Sequence, residues 1–206
     1  MNGECMKKVT FYYVRHGETL FNQEGRMQGF CDSPLTEKGL SQAQQAREIL
    51  LNKDIAMCYT STSERCIDTA HIIIQDRNIP IYYEKDLKEI NFGTYEGARI
   101  ENHFEEINRR RRGTRDWTDV GGENHEQVIA RVHRIYNKIF DSCKDGDSVI
   151  VVSHGAIFMQ LFDEFFGQNV FDVFPKIGKA NPIPNGYVCC FERIDDKYSL
   201  VSINSK

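Results

Sequence analysis

The chain lacks the marks of export and of membrane passage. Met1 to Lys8 contains no apolar core of the kind a signal peptide requires. No run approaches the roughly 18 apolar residues of a membrane span. A cytoplasmic location and no membrane partner are therefore the default expectations. The seven cysteines (Cys5, Cys31, Cys58, Cys66, Cys143, Cys189 and Cys190) are odd in number and include no C-x-x-C pair. Zinc-ribbon and thioredoxin-type chemistry have no support, and the thiols read as reduced and mostly buried. His71, His103, His125 and His133 show no metal-ligand spacing with acidic partners, so neither a metal nor a cofactor is expected. An excess of positive charge is missing too: 26 Lys and Arg face 30 Asp and Glu, a net charge of −4. No global attraction to nucleic acid follows from that balance, and any anionic substrate must be drawn in by a local field. There is no internal repeat and no low-complexity linker.

What is present is an ordinary globular balance, 40% hydrophobic and 27% charged over 206 residues. That length suits one domain, residues 1–206, with a sizeable core. Val9 to Val14, Ile55 to Tyr59, Ile79 to Tyr83 and Ser148 to Val152 read as strands. Thr36 to Leu51, a stretch running from the caps Thr60 to Ser63 to about Ile74, Glu123 to Phe140, and Ala156 to Phe166 read as helices. Tyr187 to Arg193 and Tyr198 to Ile203 close the chain as an antiparallel pair. Strands alternating with helices predict an α/β fold with a mainly parallel central sheet. The β-branched run at Ser148 to Val152 predicts cover on both faces. About residues 96–122 the alternation breaks; this polar segment, with Arg109 to Arg112 and Arg115, reads as an insertion, helical near its start.

Ligands of open parallel sheets bind at the carboxyl ends of the strands. Four groups fall there: Arg15-His16 after the first strand, Arg65 after the second, Glu89 after the third, and His154 after the fourth. Two arginines, two histidines and a helix start make a pocket for a dianion, and phosphate suits it better than carboxylate. A neutral imidazole can attack phosphorus and form a phosphohistidine. Nearby arginines keep such a ring neutral by penalising its cation. A second histidine can donate to the transferring group, and a carboxylic acid such as Glu89 can protonate the leaving oxygen.

These residues resemble a known family. Arg15-His16-Gly17-Glu18-Thr19 with Asn22 is similar to the signature of the histidine phosphatase superfamily, the phosphoglycerate mutase-like clan. The resemblance runs on through Gln28-Gly29, Asp32, Pro34-Leu35-Thr36, Gly39, Tyr59-Thr60-Ser61, Arg65, Thr69-Ala70, Glu89, Gly93, Glu96-Gly97 and Gly122-Glu123 to Val152-Ser153-His154-Gly155. It implies a three-layer α/β/α fold. It also implies roles: His16 as the phosphorylated nucleophile, Arg15, Arg65 and His154 as the phosphate grip, Glu89 as proton donor, and Asn22, Gln28, Gly29 and the Gly155 amide as pocket lining. The Gly25-Arg26-Met27-Gln28-Gly29-Phe30 block and the compact insertion look more like the broad-specificity phosphatases than the mutases. The expected activity is metal-independent hydrolysis of a small phosphorylated metabolite, with phosphoglycerate mutase as the alternative. A non-catalytic phosphate-binding module ranks below both, because His16 and Glu89 are present.

Several features keep two readings. Glu18 salt-bridges or caps a turn, or else belongs to the site. The Arg109 to Arg112 run is a solvated face, or it reaches over the pocket mouth, with Arg110 as the position to test. Cys31 borders the site or is a small apolar filler. The Phe-rich stretch Phe158 to Phe174 is core or a homodimer face. Specificity is expected from Glu96 to Gly122 and from Phe171 to Pro184.

Overall fold

Side chains alternate across the strands, and this alternation builds the layers. The computed structural model describes residues 6–168, 170 and 183–204. Its strands are β1 (Lys8–Arg15), β2 (Met57–Ser61), β3 (Ile81–Glu84), β4 (Ser148–Ser153), β5 (Val188–Ile194) and β6 (Lys197–Asn204). Its α-helices are α1 (Leu20–Gln23), α2 (Glu37–Leu50), α3 (Glu64–Ile74), α4 (Phe104–Arg112), α5 (His125–Ser142) and α6 (Gly155–Phe166). Val9, Phe11 and Tyr13 of β1, with Val149 and Val151 of β4, pack on Val132, Ile135, Phe158 and Phe162 of α5 and α6. Val14, Ile150 and Val152 turn to the opposite face, against Ala46 and Leu50 of α2 and Ala70 and Ile73 of α3. Helices thus cover both faces of one six-stranded sheet of order β3-β2-β4-β1-β5-β6.

The sheet is mixed. β3, β2, β4 and β1 run parallel, and β5 and β6 extend it in antiparallel fashion. The register of β1 against β4 places Arg15 opposite Ser153. The residues that follow, His16 and His154, therefore leave the sheet side by side. Two strands begin later than their hydrophobicity predicts. Met57 pairs with Val149, so the start of β2 follows its neighbour. Pro80, which has no amide proton to give the ladder, precedes β3.

Caps explain the helix starts, with one exception. Thr36 accepts from the Gly39 amide at 3.1 Å, and Asn124 forms a capping box with Gln127. At α3 the N-cap is Ser63, the last of the four candidates, but no side-chain cap bond forms. Thr60 and Ser61 end β2, and Ser61 turns its hydroxyl to His154.

The inserted segment is organised by Arg110. Its Nε contacts Glu106 at 2.6 Å, its Nη atoms contact Asp119 at 2.5 and 2.7 Å, and the guanidinium lies 5.4 Å from the centre of the buried Trp117 ring. Phe158, Phe162 and Phe165 of the Phe-rich stretch belong to the core; residues 169 and 171–174 lie outside the described residues. No described helix is long and apolar enough to cross a membrane.

Gly17 shows what the loop after β1 demands. A Cβ built there would sit 2.3 Å from the Gly39 carbonyl oxygen, a backbone atom at the start of α2. Gly17→Ala is expected to lower stability by about 1–3 kcal/mol through this overlap. A denaturant midpoint unchanged from wild type would contradict the close approach.

Candidate active site

His16 stands at the end of β1, 3% exposed. Its amide donates to the Ser153 carbonyl of β4 at 3.0 Å. Its Nδ1 lies 2.8 Å from the Gly17 carbonyl oxygen. A carbonyl only accepts, so Nδ1 carries the proton and Nε2 keeps the lone pair. Burial pushes the His16 pKa well below 6.5, and the charges of Arg65 and Arg15 push it the same way. The ring is a neutral base with a fixed tautomer.

His154 is fully buried, its ring centre 5.2 Å from that of His16. The Tyr13 hydroxyl holds the backbone here, accepting from the His154 amide at 3.0 Å and donating to its carbonyl at 2.6 Å. Arg65 Nη2 donates to His154 Nδ1 at 3.0 Å, and Nε2 is then the protonated nitrogen, 2.8 Å from Ser61 Oγ. Burial first, then Arg65 and His16, holds this pKa well below 6.5 as well.

Arg65, from the first turn of α3, has no exposed surface. It contacts Asp32 Oδ1 at 2.7 Å, the Cys31 carbonyl at 2.9 Å and the Gly29 carbonyl at 2.8 Å. Glu96 fixes that loop by accepting the amides of Gly29, Phe30 and Cys31 at 2.9 to 3.0 Å. Arg15 donates to the Ile183 carbonyl. Its pKa is drawn down to about 10, chiefly by burial, which leaves it charged at neutral pH. Among the described residues, the buried Nε–H groups of Arg15, Arg65 and Arg111 have no hydrogen-bond partner. Orphaned cationic donors are costly in a folded chain unless an anion answers them.

Glu89 follows the turn after β3 and caps α6. Oε1 accepts from the Ile90 amide at 3.0 Å and the Ile157 amide at 2.8 Å, and Oε2, among the described residues, accepts from Ala156 alone at 2.8 Å. Oε2 is therefore the oxygen with room for a proton.

A cavity of about 310 Å³ opens here, lined on its polar side by Arg15, His16, Asn22, Arg26, Gln28, Glu89, Arg111 and Asn185. Phe92, Ile100, Met159 and Ile183 share the lining. Of the residues singled out in the sequence, Arg15, His16, Asn22, Gln28 and Glu89 reach this wall. Arg65 and His154 stand behind it, Gly29 supplies a carbonyl to Arg65, and the helix start contributes Ala156 where Gly155 was expected. Gln28 is oriented by Thr19 and Ser33, at 2.6 and 3.0 Å. Glu18 points away, to Lys38 at 2.8 Å and Thr36 at 3.1 Å.

The arginine run corrects one expectation. Arg110, the position proposed for testing, is occupied by Glu106 and Asp119; Arg111, one residue on, lines the cavity. A helix rotates about 100° per residue, so a run of four arginines does not reveal which one faces inward. Asn185 was missed altogether. Its Nδ2 contacts the carbonyl oxygens of His16 and Gly17 and Asn22 Oδ1 at 3.0 to 3.3 Å, tying the last loop to the first. The one sequence signal nearby was the stretch Phe171 to Pro184, with Pro175, Pro182 and Pro184, which was expected to govern specificity and stops one residue short of Asn185.

A strand-end histidine of fixed tautomer, set among buried arginines at the carboxyl edge of a parallel sheet, defines a class of α/β proteins built to handle phosphoryl groups. The chain belongs to the histidine phosphatase superfamily (branch 1), whose family model matches residues 11–206. A Salmonella paratyphi A protein named "Probable phosphoglycerate mutase GpmB" is 37% identical over 148 residues, 70% of this chain and 68% of that one. YhfR of Bacillus stearothermophilus superposes with a TM-score of 0.81 at 30% identity, over 94% of this chain and 95% of that one. A Bacillus anthracis structure described as phosphoglycerate mutase superposes with a TM-score of 0.83 at 25% identity, covering 96% and 93%.

The two buried rings set a pH dependence. Both are neutral when folded and gain protons below about pH 6.5 once unfolded. The unfolded chain then binds more protons, and stability falls as pH drops below that value, at most about 1.4 kcal/mol per pH unit for each ring. Melting temperature measured from pH 7.5 to 5 should fall more steeply for the wild type than for a His16→Gln/His154→Gln double variant. Parallel curves would contradict the assignment.

Proposed function

We propose that the chain is a metal-independent phosphomonoester hydrolase that works through a phosphohistidine on His16 and acts on a small phosphorylated metabolite. One observation carries the reading: Nε2 of a buried, neutral His16 is left with its lone pair at a cavity where Arg15 and Arg111 hold unpartnered buried donors. The Nε2 lone pair attacks phosphorus while the bond to the leaving oxygen breaks. Glu89 Oε2 gives that oxygen its proton, and the alcohol departs. The resulting carboxylate takes a proton from water as that water attacks phosphorus. The P–N bond breaks, phosphate leaves, and His16 returns to its neutral form.

Arg15 and Arg65 are assigned to the phosphoryl oxygens, whose charge they offset without moving. His154 is assigned with them: its ring centre lies 5.2 Å from that of His16, and its Nε2–H, which rests on Ser61 Oγ, would turn to a phosphoryl oxygen. Asn22 and Gln28 are assigned to the pocket wall, with Gly29 and Gly155 holding its backbone. The apolar lining from Phe92, Ile100, Met159 and Ile183 suits the organic part of a monoester. The six described cysteines are free, which fits a reducing cytoplasm.

Phosphoglycerate mutase is the second reading, and the names of the Salmonella and Bacillus anthracis relatives favour it. A mutase must hold a bisphosphate intermediate and exclude water. The inserted segment commits Arg109 and Arg110 to Glu106 and Asp119 instead of to the cavity, and this supports hydrolysis. His16→Ala should lose at least about a thousandfold in kcat on a chromogenic phosphate ester without added metal, and acid-labile phosphate should appear on the wild type only. Isomerisation of a phosphoglycerate faster than phosphate release would overturn hydrolysis in favour of the mutase.

A further inference from the structure

We propose that Arg131 is the positioning residue for Glu89, holding the whole segment 86–91 in the place from which Glu89 reaches a leaving oxygen. The inference rests on the reading of Glu89 as proton donor. Arg131 sits on α5, 6% exposed, and is not part of the cavity wall. Its guanidinium spends five hydrogen bonds on one purpose. Nη1 donates to the carbonyl oxygens of Asp86 and Lys88 at 2.8 and 2.6 Å, and Nη2 donates to the Glu89 carbonyl at 3.1 Å. Nε and Nη2 meet the Glu123 carboxylate at 2.9 and 3.1 Å.

Glu123 closes the ring. Its Oε2 also accepts the Asn91 amide at 2.8 Å, and its own amide donates to the Asn91 carbonyl at 2.9 Å. The segment carrying Glu89 is thus fastened from Asp86 to Asn91 by one cation and one carboxylate. Between them the chain has little regular structure, a single 3₁₀ turn at Lys85–Leu87. Ser153 Oγ also holds the Leu87 carbonyl at 2.8 Å, and Leu87 and Ile90 are buried, but the carbonyls of Asp86, Lys88 and Glu89 are held by Arg131. The three carbonyls have no other guanidinium that reaches them among the described residues. Lysine cannot replace this fork, because an ammonium presents its donors from one point.

The experiment separates positioning from bulk stability by leaving-group dependence. kcat/KM reads the chain of events up to release of the alcohol, so it is measured on β-glycerol phosphate, whose alkoxide must be protonated, and on 2,4-dinitrophenyl phosphate, whose phenolate leaves unaided. For Arg131→Lys the glycerol phosphate value should fall about tenfold to a hundredfold, while the dinitrophenyl value changes by less than about threefold. Equal loss on both substrates, or no loss on either, overturns the proposal. Glu89→Gln is run alongside. If it shows the leaving-group dependence and Arg131→Lys does not, the inference fails and the reading of Glu89 stands. If Glu89→Gln itself shows no such dependence, both fail. Should Arg131→Lys not fold, Glu123→Gln loosens the same fork at nearly constant shape, and it must show the same substrate-selective loss; a uniform loss or none overturns the proposal equally.

Discussion

The burial of Arg65 is the constraint from which the rest of the site follows. A fully buried guanidinium must find its acceptors inside the protein, and here they come from two distant parts of the chain: the loop 29–32, with the Gly29 and Cys31 carbonyls and Asp32 Oδ1, and His154 Nδ1. Holding the first two in place requires a carboxylate under the loop, and Glu96 supplies it. Accepting at Nδ1 fixes the tautomer of His154. The same cation raises the cost of a second positive charge on either histidine. One buried arginine therefore sets the shape of a loop, the protonation of one ring and the electrostatics of the other.

The carboxylates of the site act mainly on backbone. Glu96 takes loop amides, Glu89 takes the first amides of α6, and Glu123 takes Asn91 and Arg131. Each is buried or half-buried, and each fastens a stretch with little regular structure. Such loops would otherwise lose their geometry to chain entropy. Acidic side chains here do the work that a strand ladder does elsewhere, which lets the cavity wall be built from loops and still be rigid.

Much of this was readable before any coordinates. The β-branched run Ser148 to Val152 announced a sheet covered on both faces, and strand-end positions marked His16, Glu89 and His154. Arg15 and Arg65 followed from their places beside a strand exit and a helix start. Arg111 did not, since four consecutive arginines on one helix differ only in the direction they face. Asn185 was illegible because its partners lie some 160 residues earlier in the chain, and no local pattern records such a meeting. Arg131 sits in an amphipathic helix among ordinary charged residues. Its burial depends on a carbonyl-rich loop that has no pattern of its own. At α3 the N-cap falls on Ser63, one of the four candidates, yet without a side-chain cap bond, while Ser61 meets His154; hydroxyls suited to capping are equally suited to bonding a histidine.

The register that sets Arg15 against Ser153 has a consequence for how the molecule comes into being. β1 lies between β4 and β5, its partners in the ladder, so the first strand made waits for strands translated more than a hundred residues later. Until then the nascent chain holds an unpaired strand that ends at His16, with no His154 beside it and no closing loop from Asn185. Such contacts are slow to form because a long loop must close first. Assembly of the cavity and completion of the sheet are then a single event.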